Sequence, residues 1–139
     1  MLSIIAPLMK AQHDEILKVF SEYDALLSQK ESEQRTEKMK QILHELARRL
    51  TIHLAQEDCL LYPALTQSEN IAHQELAEQF TSEMGGMADR FDAFANHWRL
   101  GNTIQENEQA FQAESKEILA ALRSRIQREE REIFPLIKV

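Results

Sequence analysis

Apolar residues return along the chain at steps of three and four, the period of helices buried along one face. Met9, His13, Ile16, Leu17, Phe20, Asp24 and Leu27 share one stripe and predict a first helix over about 6–28. The polar run "SQKESEQRTEK" then predicts a turn, with Ser32 or Thr36 capping the next helix. That helix is expected over about 36–61, on the stripe Ile42, Leu46, Leu50, His53, Glu57 and Leu60. Pro63 ends it, because proline has no N–H to donate. A third helix is expected over about 68–99, capped by Ser68 and followed by Gly101. Its face carries His73, Ala77, Phe80, Met84, Met87, Phe91, Phe94 and Trp98. The fourth covers about 108–133 along Phe111, Glu114, Ile118, Leu122, Arg125, Glu129 and Ile133, with Pro135 beyond. Four long helices with short polar links predict an all-α chain, an up-down-up-down antiparallel four-helix bundle. Coiled-coil hairpins fit less well, because each stripe is wider than a heptad seam.

Gly85-Gly86 interrupts the third helix and costs roughly 2 kcal/mol of helix propensity. The pair predicts close helix packing or a local distortion beside whatever Met84 faces. The length of 139 residues suits a single domain over 1–139. Only 3 Gly and 3 Pro are present, too few for the turns of an all-β chain of this length. A net charge of −7 argues against nucleic acid, which requires a basic face. Cys59 is the single cysteine, so no internal disulfide forms and a reducing cytoplasm is the expected location. The apolar start "MLSIIAPLMKAQHDEI" is too short to span a membrane and has no basic lead or small-residue cleavage site.

The informative positions are those where an inward stripe is not simply apolar: His13, then His53 with Glu57, then Met84, then Arg125 with Glu129. Taken singly, each has an ordinary reading. The histidines and charged residues could be solvated, and Met84 could be core packing. Two observations weigh against that. First, His13 sits on the core stripe of its own helix, while the i, i+4 pair His53 and Glu57, common enough on solvated faces, stacks an imidazole and a carboxylate within reach of one ion such as iron, zinc or manganese. Second, "HLAQEDCLLYP" at 53–63 and "RIQREEREIFP" at 125–135 share apolar slots, an acidic pair and a proline stop. They differ at the first position, His53 against Arg125. His44 is out of phase, His97 adjoins a turn, and Cys59 lies off the stripe. There is no Gly-rich phosphate loop, no HExxH and no Glu-x-x-His. No separate base, nucleophile or substrate pocket stands out, so an enzyme is not expected.

The segments "APLMKAQHDEI", "HLAQEDCLLYP", "SEMGGMADRF" and "RIQREEREIFP" resemble the hemerythrin-like, or HHE cation-binding, family across nearly the whole chain. The resemblance implies a non-haem di-iron centre inside a four-helix bundle. In such a centre histidines of the first and second helices hold one iron, and those of the third and fourth hold the other. Carboxylates of the second and fourth helices bridge the two. Carried over, His13, His53, Glu57 and Glu129 match as metal ligands. The third-helix histidine is replaced by Met84, with His73 a distant candidate if the alignment slips by a turn, and the fourth-helix histidine is Arg125.

A guanidinium stays protonated and cannot ligate a metal. Buried, it needs anionic partners, so Arg125 is expected to fill the lost ion's volume and bond to Glu57 and Glu129. Two readings follow. In one, the remaining set binds a single iron or other divalent metal with open positions for dioxygen or nitric oxide, for oxygen, redox or metal sensing rather than oxygen transport. In the other, the ion pairs satisfy the site and the chain is a metal-free regulatory or partner-binding module. A mononuclear metal enzyme ranks third.

Overall fold

The computed structural model describes residues 2–137, and among them there is no strand. The helices are α1 (Leu2–Ser28), α2 (Glu33–Gln56), α3 (Tyr62–Thr66), α4 (Ile71–Met84), α5 (Met87–Arg99), α6 (Thr103–Glu106) and α7 (Glu108–Arg128). A π turn over Glu57–Leu61 runs α2 directly into α3. A second, over Glu129–Ile133, follows α7 and leads into a 3₁₀ turn at Phe134–Ile137. Among the described residues, no helix is long and apolar enough to cross a membrane.

Ser32 caps α2 as expected, its hydroxyl accepting from the Arg35 N–H. The third predicted helix is two helices. Asn70, not Ser68, caps α4, accepting from the N–H groups of Ala72 and His73. Ser68 instead accepts from the Asn70 N–H. At Gly85-Gly86 the helix stops and restarts: Gly85 turns extended at ψ 145°, and Gly86 adopts φ 83°, a left-handed conformation that side chains resist. Gly101, also left-handed at φ 44°, follows α5.

Three stripe assignments shift by one residue. Asp24, Leu60 and Glu114 are exposed, and Tyr23, Leu61 and Ser115 are buried in their place. Tyr23 and Ser115 join α1 to α7 through a buried hydroxyl pair at 2.7 Å. At the same end, buried Arg35 donates to the Leu26 and Leu27 carbonyls at the end of α1 and pairs with Glu108 at 2.7 Å. A cation there also suits the negative end of the helix dipole.

The apolar interior is in two parts. One holds Ile16, Phe20, Leu46, Leu50, Trp98 and Leu122 among others. The second holds Met9, Leu61, Tyr62, Phe80, Met84 and Ile133 among others. Between them in sequence, on α1, α2 and α7 with the turns that follow, fall buried polar positions: His13 between Met9 and Ile16, His53 and Glu57 between Leu50 and Leu61, Arg125 and Glu129 between Leu122 and Ile133. A charged layer therefore divides the core.

Gly86→Ala is expected to destabilise the protein by about 1–2 kcal/mol through its left-handed backbone alone, since open space surrounds the added Cβ. Gly85→Ala should cost at least as much for a different reason: its Cβ would lie 2.6 Å from the Thr81 carbonyl oxygen. Urea unfolding of the two variants checks both; an unchanged midpoint for Gly86→Ala would contradict the backbone argument.

Candidate metal centre

The layer is assembled from α1, the end of α2 and the end of α7. His13, Glu57 and Glu129 have no solvent exposure, and His53 and Arg125 are also buried. One ligand-capable atom from each of His13, His53, Glu57 and Glu129 lies within 4.8 Å of the others. His13 Nε2 is 3.4 Å from Glu57 Oε2 and 3.3 Å from Glu129 Oε1, and His53 Nε2 is 3.2 Å from Glu57 Oε2. The two imidazoles meet edge to face, ring centres 4.7 Å apart. His73 is not brought in: it lies in the first turn of α4, outside this group.

Arg125 joins the same carboxylates from the other side. Its Nη2 donates to Glu57 Oε1 and its Nε to Glu129 Oε2, both at 3.2 Å. Nη1 donates to the Met84 carbonyl at 3.1 Å, and Asp58 lies 3.5 Å from Nη2. The Met84 side chain packs into the second apolar cluster, so this residue meets the site through its backbone. That carbonyl belongs to the last turn of α4, where carbonyls lack helical partners. The helix break at Gly85-Gly86 thus supplies Arg125 with an acceptor.

Each carboxylate therefore divides its two oxygens, one toward Arg125 and one toward the imidazoles. On the imidazole side, His13 Nε2, His53 Nε2, Glu57 Oε2 and Glu129 Oε1 are buried with no hydrogen-bond partner. These are one atom from each member of the group.

The far side of each imidazole is fixed. Gln12 donates through Nε2 to Gln56 Oε1 at 2.8 Å, which leaves its Oε1 to accept from His53 Nδ1–H at 2.6 Å. Glu130 Oε2 accepts from His13 Nδ1–H at 2.8 Å, and Lys10 holds Glu130 Oε1 at 3.0 Å. Both Nε2 atoms are thereby aimed at the centre, the arrangement by which ligand histidines are oriented. A groove of about 300 Å³ between α1 and α2, lined in part by Gln12, Ile52 and His53, reaches this side of the layer.

The π turns bring in two aromatic rings. A residue five places along a regular α-helix is rotated by about 140°. Here the Tyr62 N–H bonds back to the Glu57 carbonyl and the Phe134 N–H to the Glu129 carbonyl, five residues each, so the turn is wide. The Tyr62 hydroxyl donates to Glu129 Oε2, and Phe134 stacks on the His13 ring at 5.2 Å. Tyr62, Phe134, Gln12 and Glu130 were not among the predicted site residues. The repeated frame does align Tyr62 with Phe134, but α-helical phase turns both away from the carboxylates. Gln12 and Glu130 read as surface residues beside a candidate ligand.

The layer's ionisation follows from its crowding. Burial disfavours protonated His13, but Glu129 and Glu57 outweigh it and raise its pKa to about 9. Burial, together with the neighbouring Glu57, pushes Glu129 up to about 7. Glu57 goes the opposite way: burial favours its neutral form, yet His13 and His53 hold it well below the usual carboxylate range. His13 and Glu129 both bind protons more tightly folded than unfolded. The stability His13 contributes is full below pH 6.5 and lost as pH rises through about 9, and the raised Glu129 acts in the same direction. The urea midpoint of metal-free protein should accordingly fall from pH 6.5 to 9, with a shallower fall in His13→Asn. A midpoint that rises across this window would contradict the assignment.

A family model described as the hemerythrin HHE cation binding domain matches residues 5–137, the helical bundle and the buried layer together. No curated protein and no solved structure gives a significant match to the chain. With nearly its whole length matched, the chain belongs to the hemerythrin HHE cation-binding domain family.

Proposed function

We propose that the chain holds one divalent metal ion, iron foremost, through His13 Nε2, His53 Nε2, Glu57 Oε2 and Glu129 Oε1, with Arg125 in place of a second ion. The observation that carries this reading is the convergence of four unpartnered buried atoms on one point. In the metal-free protein a proton on His13 meets the two carboxylate oxygens only at 3.4 and 3.3 Å, whereas a cation would satisfy all four atoms at once. The spacing fits as well. Three of the separations are 3.2, 3.3 and 3.4 Å, and all four atoms lie within 4.8 Å of one another, within the compass of one ion. Two imidazoles and two carboxylates suit iron, zinc or manganese.

When bound, such an ion supplies open coordination positions suited to small ligands such as dioxygen or nitric oxide. The chain's own residues orient and enclose it. Gln12 and Glu130 hold the imidazoles, Tyr62 and Arg125 hold Glu129, and Phe134 covers His13. Because a fixed guanidinium occupies the second position, we read the protein as a cytoplasmic oxygen, redox or metal sensor rather than an oxygen carrier. The finer architecture, one domain over 1–139 with up-down-up-down helices, belongs to the same reading and is supported by the short link between α1 and α2.

A second reading, a metal-free regulatory or partner-binding module, is favoured by one feature: Arg125 already bonds one oxygen of each carboxylate without any ion. Elemental analysis and a visible spectrum of protein purified without chelator separate the two. The expected result is about one metal per chain, lost in His53→Ala, since ligand removal forfeits binding. No metal after aerobic and anaerobic loading would favour the metal-free module. Two irons with an oxo-bridge charge-transfer band would contradict the role given to Arg125. Arg125→His should raise iron stoichiometry or affinity, and no change in either would count against a replaced ion.

A further inference from the structure

Arg125 bears on the charge of the ion the centre accepts. Its guanidinium cannot move aside: it is held by Glu57, Glu129 and the Met84 carbonyl, and lies 5.8 Å from the centre of the Tyr62 ring. It cannot lose its proton either. Glu57 and Glu129 each give one oxygen to Arg125 and present the other to the imidazoles. The fixed cation and the proposed ion position are therefore one carboxylate apart, across two bridges.

The charge balance of the layer is tight. Two ionised carboxylates (−2) and one guanidinium (+1) sum to −1, in side chains at most 3% exposed. Outside them, the partly exposed Glu130 adds a negative charge at His13, and Lys10 beside it is shared with the exposed Asp14; this surrounding charge is the same whether or not position 125 carries a cation. Asp58 faces Arg125 but is half-exposed and screened by solvent. A divalent ion would bring this group to +1, and a trivalent ion to +2. Away from water, unit charges a few ångströms apart interact far more strongly than in bulk solvent. The second step therefore meets a repulsion that a pair of carboxylates without the guanidinium would not impose.

We propose that Arg125 makes the centre selective for divalent over trivalent metal ions and holds a redox-active metal in its lower oxidation state. The ligand class is then ferrous iron, zinc or manganese(II). This inference rests on the metal-binding reading and adds a specificity-determining residue to it. Removing the charge should shift the trivalent-to-divalent affinity ratio by roughly 10–100-fold.

The test uses the full chain, stripped of metal and titrated with Zn²⁺ and with citrate-buffered Ga³⁺, a redox-inert trivalent probe. Zn²⁺ should bind. The Ga³⁺-to-Zn²⁺ affinity ratio should rise at least about 10-fold in Arg125→Gln. It should stay near the wild-type value in Arg125→Lys, which keeps the charge but not the planar fork. The iron-loaded midpoint potential should fall in Arg125→Gln and not in Arg125→Lys. Arg125→Met provides a second charge-free side chain if glutamine disturbs folding. Equal ratios in wild type and both charge-free variants, or a lysine variant that behaves like them, would overturn the proposal while leaving Zn²⁺ binding intact. Failure of the wild type to bind Zn²⁺ would overturn the proposal and the metal-site reading together.

Discussion

Two carboxylates, Glu57 and Glu129, sit without solvent contact in the middle of the helices, and their surroundings are organised around that burden. Burying an ion costs several kcal/mol unless it is paired and its lone pairs are satisfied. Arg125 and Tyr62 satisfy one side of the pair. The two imidazoles face the other, where Nε2 of each histidine and one oxygen of each carboxylate remain unpartnered. With no cation present, a proton on His13 is the available counter-charge, which is why its pKa rises despite burial. A well-packed apolar layer would be at least as stable as such an ion-pair set. The layer therefore makes little sense as a stability device, and its cost is best explained by what the open side can hold.

Helix existence is legible in the chain because the apolar period is strong and the links are polar. The ligand-type residues are legible for the complementary reason, since His13, His53, Glu57 and Glu129 break an apolar stripe. Stripe edges are harder. Asp24, Leu60 and Glu114 each lie one residue from a truly buried neighbour, and a 100° step at the margin of a face is decided by packing rather than period. Gln12 and Glu130 carry no signal of their own. Each is next to a candidate ligand in sequence, yet contacts a histidine of another helix, a relation that exists only once the helices are packed.

The repeated eleven-residue frame turns out to encode backbone as well as side chains. In both copies the π turn begins at the glutamate that faces the centre, and the proline follows the aromatic residue that closes it. The extra residue in each turn serves two purposes. It leaves the carboxylate in place while rotating Tyr62 or Phe134 inward, and it lets Leu61 and Ile133 reseal the core beyond the charged layer. α-Helical arithmetic alone cannot anticipate this, because the wide turn is a local departure from the period on which that arithmetic rests. π turns of this kind recur at functional sites.

Arginine rather than lysine at position 125 follows from the geometry. The acceptors are spread around it: a carboxylate on its own helix, a second carboxylate at the end of α2, and a carbonyl at the end of α4. A lysine ammonium is a point charge on a flexible stem, whereas the guanidinium offers donors in fixed, divergent directions. The Met84 carbonyl is available because α4 stops there, with Gly85 extended and Gly86 left-handed beyond it. The glycine pair, which looks from propensity like a flaw in a long helix, therefore helps hold a fixed charge next to the two carboxylates. The frame that places a histidine at 53 and an arginine at 125 thus puts an ion-capable pocket on one side of the same two carboxylates and a permanent cation on the other.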